Sequence, residues 1–452
     1  MLQIFALPLP IRLLTVFIGG LALGSLVNWA IYRLAWNRRD ISPWGPHPAG
    51  APPRKATDRL PILGWLGLRR EQSLHGRGFW IRPLMLELAM GAGLAWLYWW
   101  EVDQQWLVFQ QLKNLLLLAG GIPGDVSLPV VSDGMTHAIF INHLVLITLM
   151  AAASFIDLDE KIIPDEITVP GTLLGLLVAT LLPMGLLPHL GVPSEVPLIG
   201  EPAILPPLLA DKNIFVEPTT LATPNHWPAE LKGAPQWGSL LVGQACWWLW
   251  CFALTPRIWR GRHGASRALA LITRRVIREL TRPPLAVIAW LGSLAVAAVW
   301  WWGGHAWMGL LTALVGLAVS GGMVWVVRLV GTAALRREAM GFGDVTLMMM
   351  IGTFLGWQAG VIIFFVAPFA GLVIGILQML LHRDDVIPYG PFLCLGALAV
   401  AVRWPDFWTF NVQDVFQQAR LIAFVLVACF ALLGVMLAIW QMIKSWLFPP
   451  KK

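Results

Sequence analysis

The sequence predicts an all-α polytopic integral membrane protein. Hydrophobic residues make up 57% of the 452 residues and charged residues only 13%, whereas soluble globular domains carry about 25% charged residues. The charges also cluster in stretches between long apolar runs, which is typical of membrane proteins. Because of this placement, we interpret the net charge of +7 as an orientation signal and not as a sign of nucleic-acid binding. We therefore expect a lipid bilayer around the protein and no nucleic-acid partner.

Apolar runs long enough to cross a bilayer recur along the chain. A span needs about 20 mostly apolar residues, and on this measure we expect about eleven transmembrane helices. Gly-rich breaks within the pair 345–358 and 360–381 equally suit bends within one span. The predicted spans are 11–34, 84–100, 138–156, 169–190, 238–254, 285–303, 307–330, 345–358, 360–381, 388–402 and 423–445.

The distribution of lysine and arginine predicts the orientation. These residues concentrate at 35–83 and 255–284, and they are scarce in the other long loops. Basic loops stay in the cytoplasm, so the first span runs from outside to inside. Alternation of the spans then places 157–168 and 331–344 inside as well. Within the second basic loop, 265–282 fits either an amphipathic helix on the inner membrane surface or a solvated loop.

The same features divide the chain into consecutive regions, which differ in apolar and basic content. They are a first transmembrane helix (1–34), a small cytoplasmic domain (35–83), transmembrane helices that carry a first acidic stretch (84–190), a Pro-rich extracytoplasmic loop (191–237), inserted transmembrane helices with a basic loop (238–330), a second acidic motif with further helices (331–402) and a C-terminal extra transmembrane helix (403–452).

Two aspartates far apart in sequence lie where apolar runs meet polar loops. Asp157 follows the run 144–156, and Asp344 precedes the run 345–350. On the predicted orientation both lie at the inner face. Ionisable residues at membrane depth are costly and indicate function. Two carboxylates at one depth can share a proton, so that one activates a water and the other donates a proton. We therefore predict a catalytic pair that hydrolyses peptide bonds.

The residues around the pair carry further predictions. Gly341 and Gly343 precede Asp344 in a G-x-G-D pattern, and a chain that turns into a helix beside a substrate needs the positive φ or close approach that glycine allows. The alternatives are a solvated interfacial carboxylate at Asp157 and a helix N-cap at Asp344. Additional residues expected to bind substrate or support the site are Lys161, Pro164 and Glu338.

The cysteines predict neither a metal site nor a disulfide framework. All four lie in or beside apolar segments and none forms a C-x-x-C pair; they are Cys246, Cys251, Cys394 and Cys429. The cytoplasmic region 35–83 contains no cysteine. No metal ligand is therefore predicted.

Several stretches match, in order, the motif blocks of one known family. They are 24–28 with 31–34, 58–66 with 68–69, 82–83 with Glu87, 155–168, 340–344 with 355–357, and Ile-Pro-Tyr-Gly-Pro-Phe at 387–392. On these residues the chain resembles the bacterial prepilin peptidases, membrane aspartyl proteases with a G-x-G-D motif. In the resemblance, Asp157 and Asp344 occupy the catalytic positions.

The resemblance implies cleavage of the basic leader of type IV prepilins or type II secretion pseudopilins. The cut would follow a glycine at the cytoplasmic face of the bacterial inner membrane, and proteolysis would need no cofactor. The resemblance also implies N-methylation of the new N-terminus from S-adenosylmethionine. Many family members carry zinc-binding C-x-x-C pairs in the first cytoplasmic loop, and their absence here bears on that methylation. The motif blocks leave 101–137, 191–330 and the last span uncovered.

Two other functions compete with the protease. One is a catalytically inactive membrane scaffold related to prepilin peptidases, which would be expected to have lost an aspartate or a motif glycine. The chain keeps all of them. The other is a proton-coupled transporter, which should place acids near the middle of the membrane and show inverted repeats. Neither feature is visible, and no oligomeric state is predicted.

Overall fold

The computed structural model describes residues 7–37, 41, 43–44, 50, 53–118, 131–191, 215–225, 236–255, 273–275, 278–279, 281–335, 338–380 and 388–447. Within these residues, seven helices are long and apolar enough to cross a membrane. The chain is thus a polytopic membrane protein built from helices. The seven are Leu9–Arg33, Asp133–Glu160, Trp237–Leu254, Leu285–Trp302, Gly304–Leu335, Phe342–Val373 and Arg420–Ile443.

The first part of the chain combines long helices with short ones. The helices are α1 (Leu9–Arg33), α2 (Leu63–Leu68), α3 (Gln72–His75), α4 (Ile81–Tyr98), α5 (Trp106–Leu118), α6 (Asp133–Glu160) and α7 (Asp165–Leu181). Single turns of 3-10 helix occur at Ala56–Arg59, Arg69–Glu71 and Pro183–Gly185, and a π turn occurs at Trp99–Asp103. Two short strands, β1 (Pro188–Gly191) and β2 (Phe215–Pro218), pair in a two-stranded sheet.

The second part of the chain contains most of the spanning helices. They are α8 (Trp237–Leu254), α9 (Leu285–Trp302), α10 (Gly304–Leu335), α11 (Phe342–Leu380), α12 (Gly390–Val402), α13 (Trp404–Phe407), α14 (Gln413–Gln417) and α15 (Ala419–Leu447), with a π turn at Trp408–Val412.

The structure supports fewer spans than the sequence predicted. The run 169–190 becomes the 17-residue α7 and a strand, and 388–402 becomes the 13-residue α12. The run 84–100 becomes α4, which carries Arg82 and Glu87 and is not among the seven spanning helices. The runs 345–358 and 360–381 both lie in α11, which is interrupted at Gly356 (φ 80°, ψ 174°). The predicted glycine break is therefore a bend within one element.

The chain divides into two compact units. The first comprises Met1–Gly171, Leu187–Glu217 and Val366–Asn411, and the second comprises Thr172–Leu186, Pro218–Phe365 and Val412–Lys452. Asp157 belongs to the first unit and Asp344 to the second.

A buried carboxylate ties the residues between α1 and α4 to the helices of the first unit. Glu87 on α4 is 1% exposed and accepts hydrogen bonds from Ser25 Oγ (2.6 Å) and Asn28 Nδ2 (3.4 Å) of α1. It also accepts from the Ile62 backbone N–H (2.5 Å) and from Trp65 Nε1 (2.9 Å). A buried carboxylate is costly unless its oxygens are hydrogen-bonded. This cluster therefore fixes α2 against α1 and α4.

Helix α5 lies in residues 101–137, between two of the predicted spans. Val108 and Leu112 are one helical turn apart, and both are buried in a cluster with Leu190 of β1. Their spacing places both on one helix face. The segment is too short to read as a span, and its amphipathic pattern was missed.

Residues 221 and 223 of the Pro-rich segment 191–237 are hydrogen-bonded within the second unit. The Leu221 backbone N–H donates to Thr312 Oγ1 (3.1 Å), and the Leu221 carbonyl accepts from Trp357 Nε1 (2.9 Å). Gln358 Nε2 donates to the Thr223 carbonyl (3.0 Å). These bonds lie beside the interruption of α11, where polar groups need partners inside the membrane.

Helices α10 and α11 approach closely at two glycines of the second unit. A Cβ added at Gly316 would overlap the Gly352 carbonyl oxygen and would lie 3.0 Å from the Gly356 Cα. Small residues allow this kind of approach between membrane helices. The crossing fixes α10 against the helix that carries Asp344.

Replacing Gly316 by alanine is expected to lower the midpoint of thermal unfolding. The atoms that the new methyl group meets belong to backbone and cannot rotate away, and overpacking of this kind costs about 1–3 kcal/mol. Gly322→Ala on the same helix is the matched control, because an added Cβ there meets no atom within 4 Å. Tryptophan emission during heating in detergent measures both midpoints. Equal midpoints would contradict the crossing.

Candidate functional site

Asp157 lies in the last turn of α6 and is 4% exposed. The helix ends soon afterwards because Lys161 adopts a left-handed conformation (φ 59°, ψ 32°), a frequent way to end a helix. The Lys161 backbone N–H donates to the Asp157 carbonyl oxygen (2.8 Å). Lys161 therefore has a structural role beside Asp157, and its side chain is exposed.

The carboxylate of Asp157 packs directly on the backbone of Gly390. The Gly390 N–H hydrogen-bonds to this carboxylate. A Cβ added at Gly390 would overlap Asp157 Oδ2 and would lie 2.9 Å from Ile163 Cδ1. Within the described residues, Oδ2 is buried and has no hydrogen-bond partner. Buried polar atoms without partners are rare, so this oxygen is a candidate for proton exchange with substrate or water.

The turn after α6 is held by carboxylates and by the start of α7. Asp159 accepts from Arg82 Nη1 at 2.8 and 2.9 Å. Glu160 accepts from the backbone N–H groups of Trp36 (2.5 Å) and Asn37 (2.8 Å). Pro164 is buried, and its carbonyl accepts the first amide bonds of α7. Pro164 is thus placed structurally, close in sequence to Asp157.

Asp344 lies in the first turn of α11 and is 7% exposed. The helix begins at Phe342, so Asp344 is inside the helix rather than at the N-cap that the sequence analysis considered. The residues that follow are buried on every face of the helix, from Val345 through Ile351. The N-terminal turn favours negative charge through its unpaired N–H groups and dipole.

The two motif glycines do not adopt the expected backbone. Neither Gly341 nor Gly343 is among the glycines with positive φ in the described chain. Gly343 belongs to the first turn of α11, and a Cβ added at Gly341 would come no closer than 3.7 Å to Asp344 Oδ2. Of the two predicted alternatives, positive φ is therefore excluded at both glycines. Close approach of a substrate backbone at these glycines stays a prediction.

An arginine that the sequence analysis missed organises the turn before Asp344. Arg328 of α10 pairs with Glu338, and its Nε donates to the Met340 carbonyl (3.0 Å). Its guanidinium lies over the Phe342 ring, 5.5 Å from the centroid. Glu338 is thus an ion-pair partner near Asp344. The available signal was a charged side chain near the end of the predicted span 307–330, where such residues indicate function.

The structure gathers the predicted residues around the two aspartates separately. Lys161 and Pro164 lie with Asp157, whereas Glu338 and the motif glycines lie with Asp344. Within the described residues, no group of His, Cys, Asp or Glu side chains is arranged to hold a metal ion.

Comparison with known families finds one matching family model. The sequence model of the type IV leader peptidase family matches residues 144–193 and 272–376, which contain Asp157 and Asp344. Over these two segments the chain is similar to this family. The family is one of aspartic proteases of the bacterial inner membrane. The second matched segment begins inside the region 238–330, which the motif blocks had left uncovered.

Individual relatives match only part of the chain. The prepilin leader peptidase/N-methyltransferase of Aeromonas salmonicida (strain A449) is 32% identical over 109 residues, 23% of this chain and 36% of that protein. The proteins of the same name from Legionella pneumophila and Escherichia coli (strain K12) are 37% identical over 73 residues and 28% identical over 160 residues. These matches cover 16% and 35% of this chain, and 25% and 62% of the two relatives. No solved structure matches the chain.

Proposed function

We propose that the chain is a membrane aspartyl endopeptidase. Its substrates are type IV prepilins or type II secretion pseudopilins, and it removes their basic leader at the cytoplasmic face of the inner membrane. One observation carries the proposal: both matched segments contain a nearly buried aspartate at the end of a helix, Asp157 in one and Asp344 in the other. Buried carboxylates at such depth are costly and indicate function.

In the proposed reaction the two aspartates act as a pair. The ionised carboxylate takes a proton from a water, whose oxygen attacks the carbonyl carbon of the glycine. The protonated carboxyl group then gives its proton to the leaving amine as the C–N bond breaks. Two neighbouring carboxylates titrate as one unit, so the pair provides acid and base together. The unpartnered Asp157 Oδ2 supports a role in proton exchange.

Methylation of the new amine stays a separate proposal, in which S-adenosylmethionine would supply the methyl group. Among the described residues of 35–83, no observation points to a site for this cofactor. Their buried carboxylates are already engaged, since Asp58 pairs with Arg70, and Glu71 binds Arg54 through two contacts of 3.0 Å. We derive no methylation step from these residues.

The direct test incubates the purified protein in detergent with a candidate prepilin, whose N-terminus has a short basic leader, a glycine and an apolar helix. Mass spectrometry of the product is expected to show a new N-terminus after the glycine. Addition of S-adenosylmethionine reads out methylation in the same spectrum. A scaffold or transporter would leave every candidate prepilin intact, and that result overturns the proposal.

A further inference from the structure

The two aspartates share a local pattern that reaches beyond the motif blocks. A phenylalanine stands two residues before each of them, Phe155 before Asp157 and Phe342 before Asp344. Each ring lies beneath an arginine from another helix. The distances from guanidinium carbon to ring centroid are 5.1 Å for Arg82 over Phe155 and 5.5 Å for Arg328 over Phe342.

In the first unit the arginine comes from α4 and contacts α6 on both sides of Asp157. Arg82 Nη1 donates to both oxygens of Asp159, at 2.8 and 2.9 Å. Arg82 Nη2 lies 3.5 Å from the Phe155 carbonyl oxygen. One guanidinium therefore contacts the residues two before and two after the aspartate.

In the second unit the arginine comes from α10 and contacts the turn that leads into α11. Arg328 pairs with Glu338 and donates from Nε to the Met340 carbonyl (3.0 Å). Its contact with Phe342 completes the arrangement. As in the first unit, one side chain contacts a carboxylate, a backbone carbonyl and a ring.

We propose that Arg82 and Arg328 are positioning residues, each of which fixes the orientation of one aspartate. The inference rests on the proposed protease function. Three simultaneous contacts require a planar group with several donors, which arginine has and lysine lacks. Partly exposed ion pairs contribute little to stability, and the Glu338 side chain is 70% exposed. The contacts therefore act mainly on the orientation of Asp157 and Asp344 and contribute little to stability.

Arg82→Lys and Arg328→Lys test the inference because both keep the charge. Each is expected to lower kcat for prepilin cleavage by about 10- to 100-fold, the cost of small misplacements of reacting groups. KM should change by less than about 2-fold, since only interactions made in the transition state are lost. Arg403→Lys is the control, because Arg403 pairs with Asp406 at the end of α12 opposite to Gly390. Thermal midpoints should match that control.

A double-mutant cycle separates positioning from general weakening. Arg328→Lys and Phe342→Leu disrupt one cluster, so their combined loss in kcat should be smaller than the product of the single losses. Losses that multiply, a wild-type kcat in both lysine variants, or a fall in kcat that follows a lower thermal midpoint would each overturn the inference.

Hydrogen exchange of peptides around 155–161 and 338–346 provides a readout independent of activity. Both regions should exchange faster in the corresponding lysine variant than in Arg403→Lys. If the wild type cleaves no prepilin, the proposed function fails, and exchange alone decides whether the arginines hold these turns. Unchanged exchange then overturns the positioning role.

Discussion

Asp157→Asn and Asp344→Asn are each expected to slow leader cleavage by about 10²- to 10⁴-fold, the loss that follows removal of a general acid or base. Asparagine keeps the size of the side chain and removes its ability to exchange a proton with water or the leaving amine. Both aspartates are nearly buried, so bulk water cannot easily substitute for them. The measurement is the initial rate of product formation, followed by mass spectrometry.

The double variant distinguishes a catalytic pair from two independent acids. Residues that act as a unit are strongly non-additive, so the double variant should cleave about as slowly as the slower single variant. Asp133→Asn is the matched control, because Asp133 is exposed at the opposite end of the helix that carries Asp157. If the single losses multiply instead, or if a single variant cleaves like Asp133→Asn, the paired mechanism is wrong.

The sequence predicted the features that depend on local composition. Apolar runs gave the long helices closely: 11–34 corresponds to Leu9–Arg33, and 138–156 lies within Asp133–Glu160. The same runs placed Asp157 near a helix end and Asp344 near a helix start, because a carboxylate is costly in an apolar segment. Both placements are confirmed.

The features that were missed depend on residues remote in sequence. The role of Gly390 is set by Asp157, which lies on another helix, and no local pattern encodes that contact. Arg328 acts on a turn that follows the end of its own helix. Positive φ was one of two alternatives that a general rule for glycine gave for Gly341 and Gly343, and neither residue adopts it. Local rules thus located the acids but not the groups that hold them.

Gly390→Ala is expected to reduce kcat by about 100-fold, the typical cost of misplacing a reacting group by about 1 Å. The added methyl group would overlap Asp157 Oδ2 and would lie 3.3 Å from its Cγ. The carboxylate must then rotate or shift, and its hydrogen bond from the Gly390 N–H weakens. The variant changes no ionisable group, so any loss reports the position of Asp157.

Gly396→Ala on the same helix is the matched control for this substitution. A Cβ there meets Ala367 at 3.4 Å, an ordinary contact, so this variant should keep the wild-type kcat. Adding Gly390→Ala to Asp157→Asn should cost little further activity, because the carboxylate on which the methyl group acts is already absent. If Gly390→Ala slows the Asp157→Asn variant by the same factor as it slows the wild type, the glycine acts elsewhere. Because the motif block around Gly390 lies far from both aspartates in sequence, its effect through Asp157 would show that the block supplies space for a carboxylate rather than a reacting group.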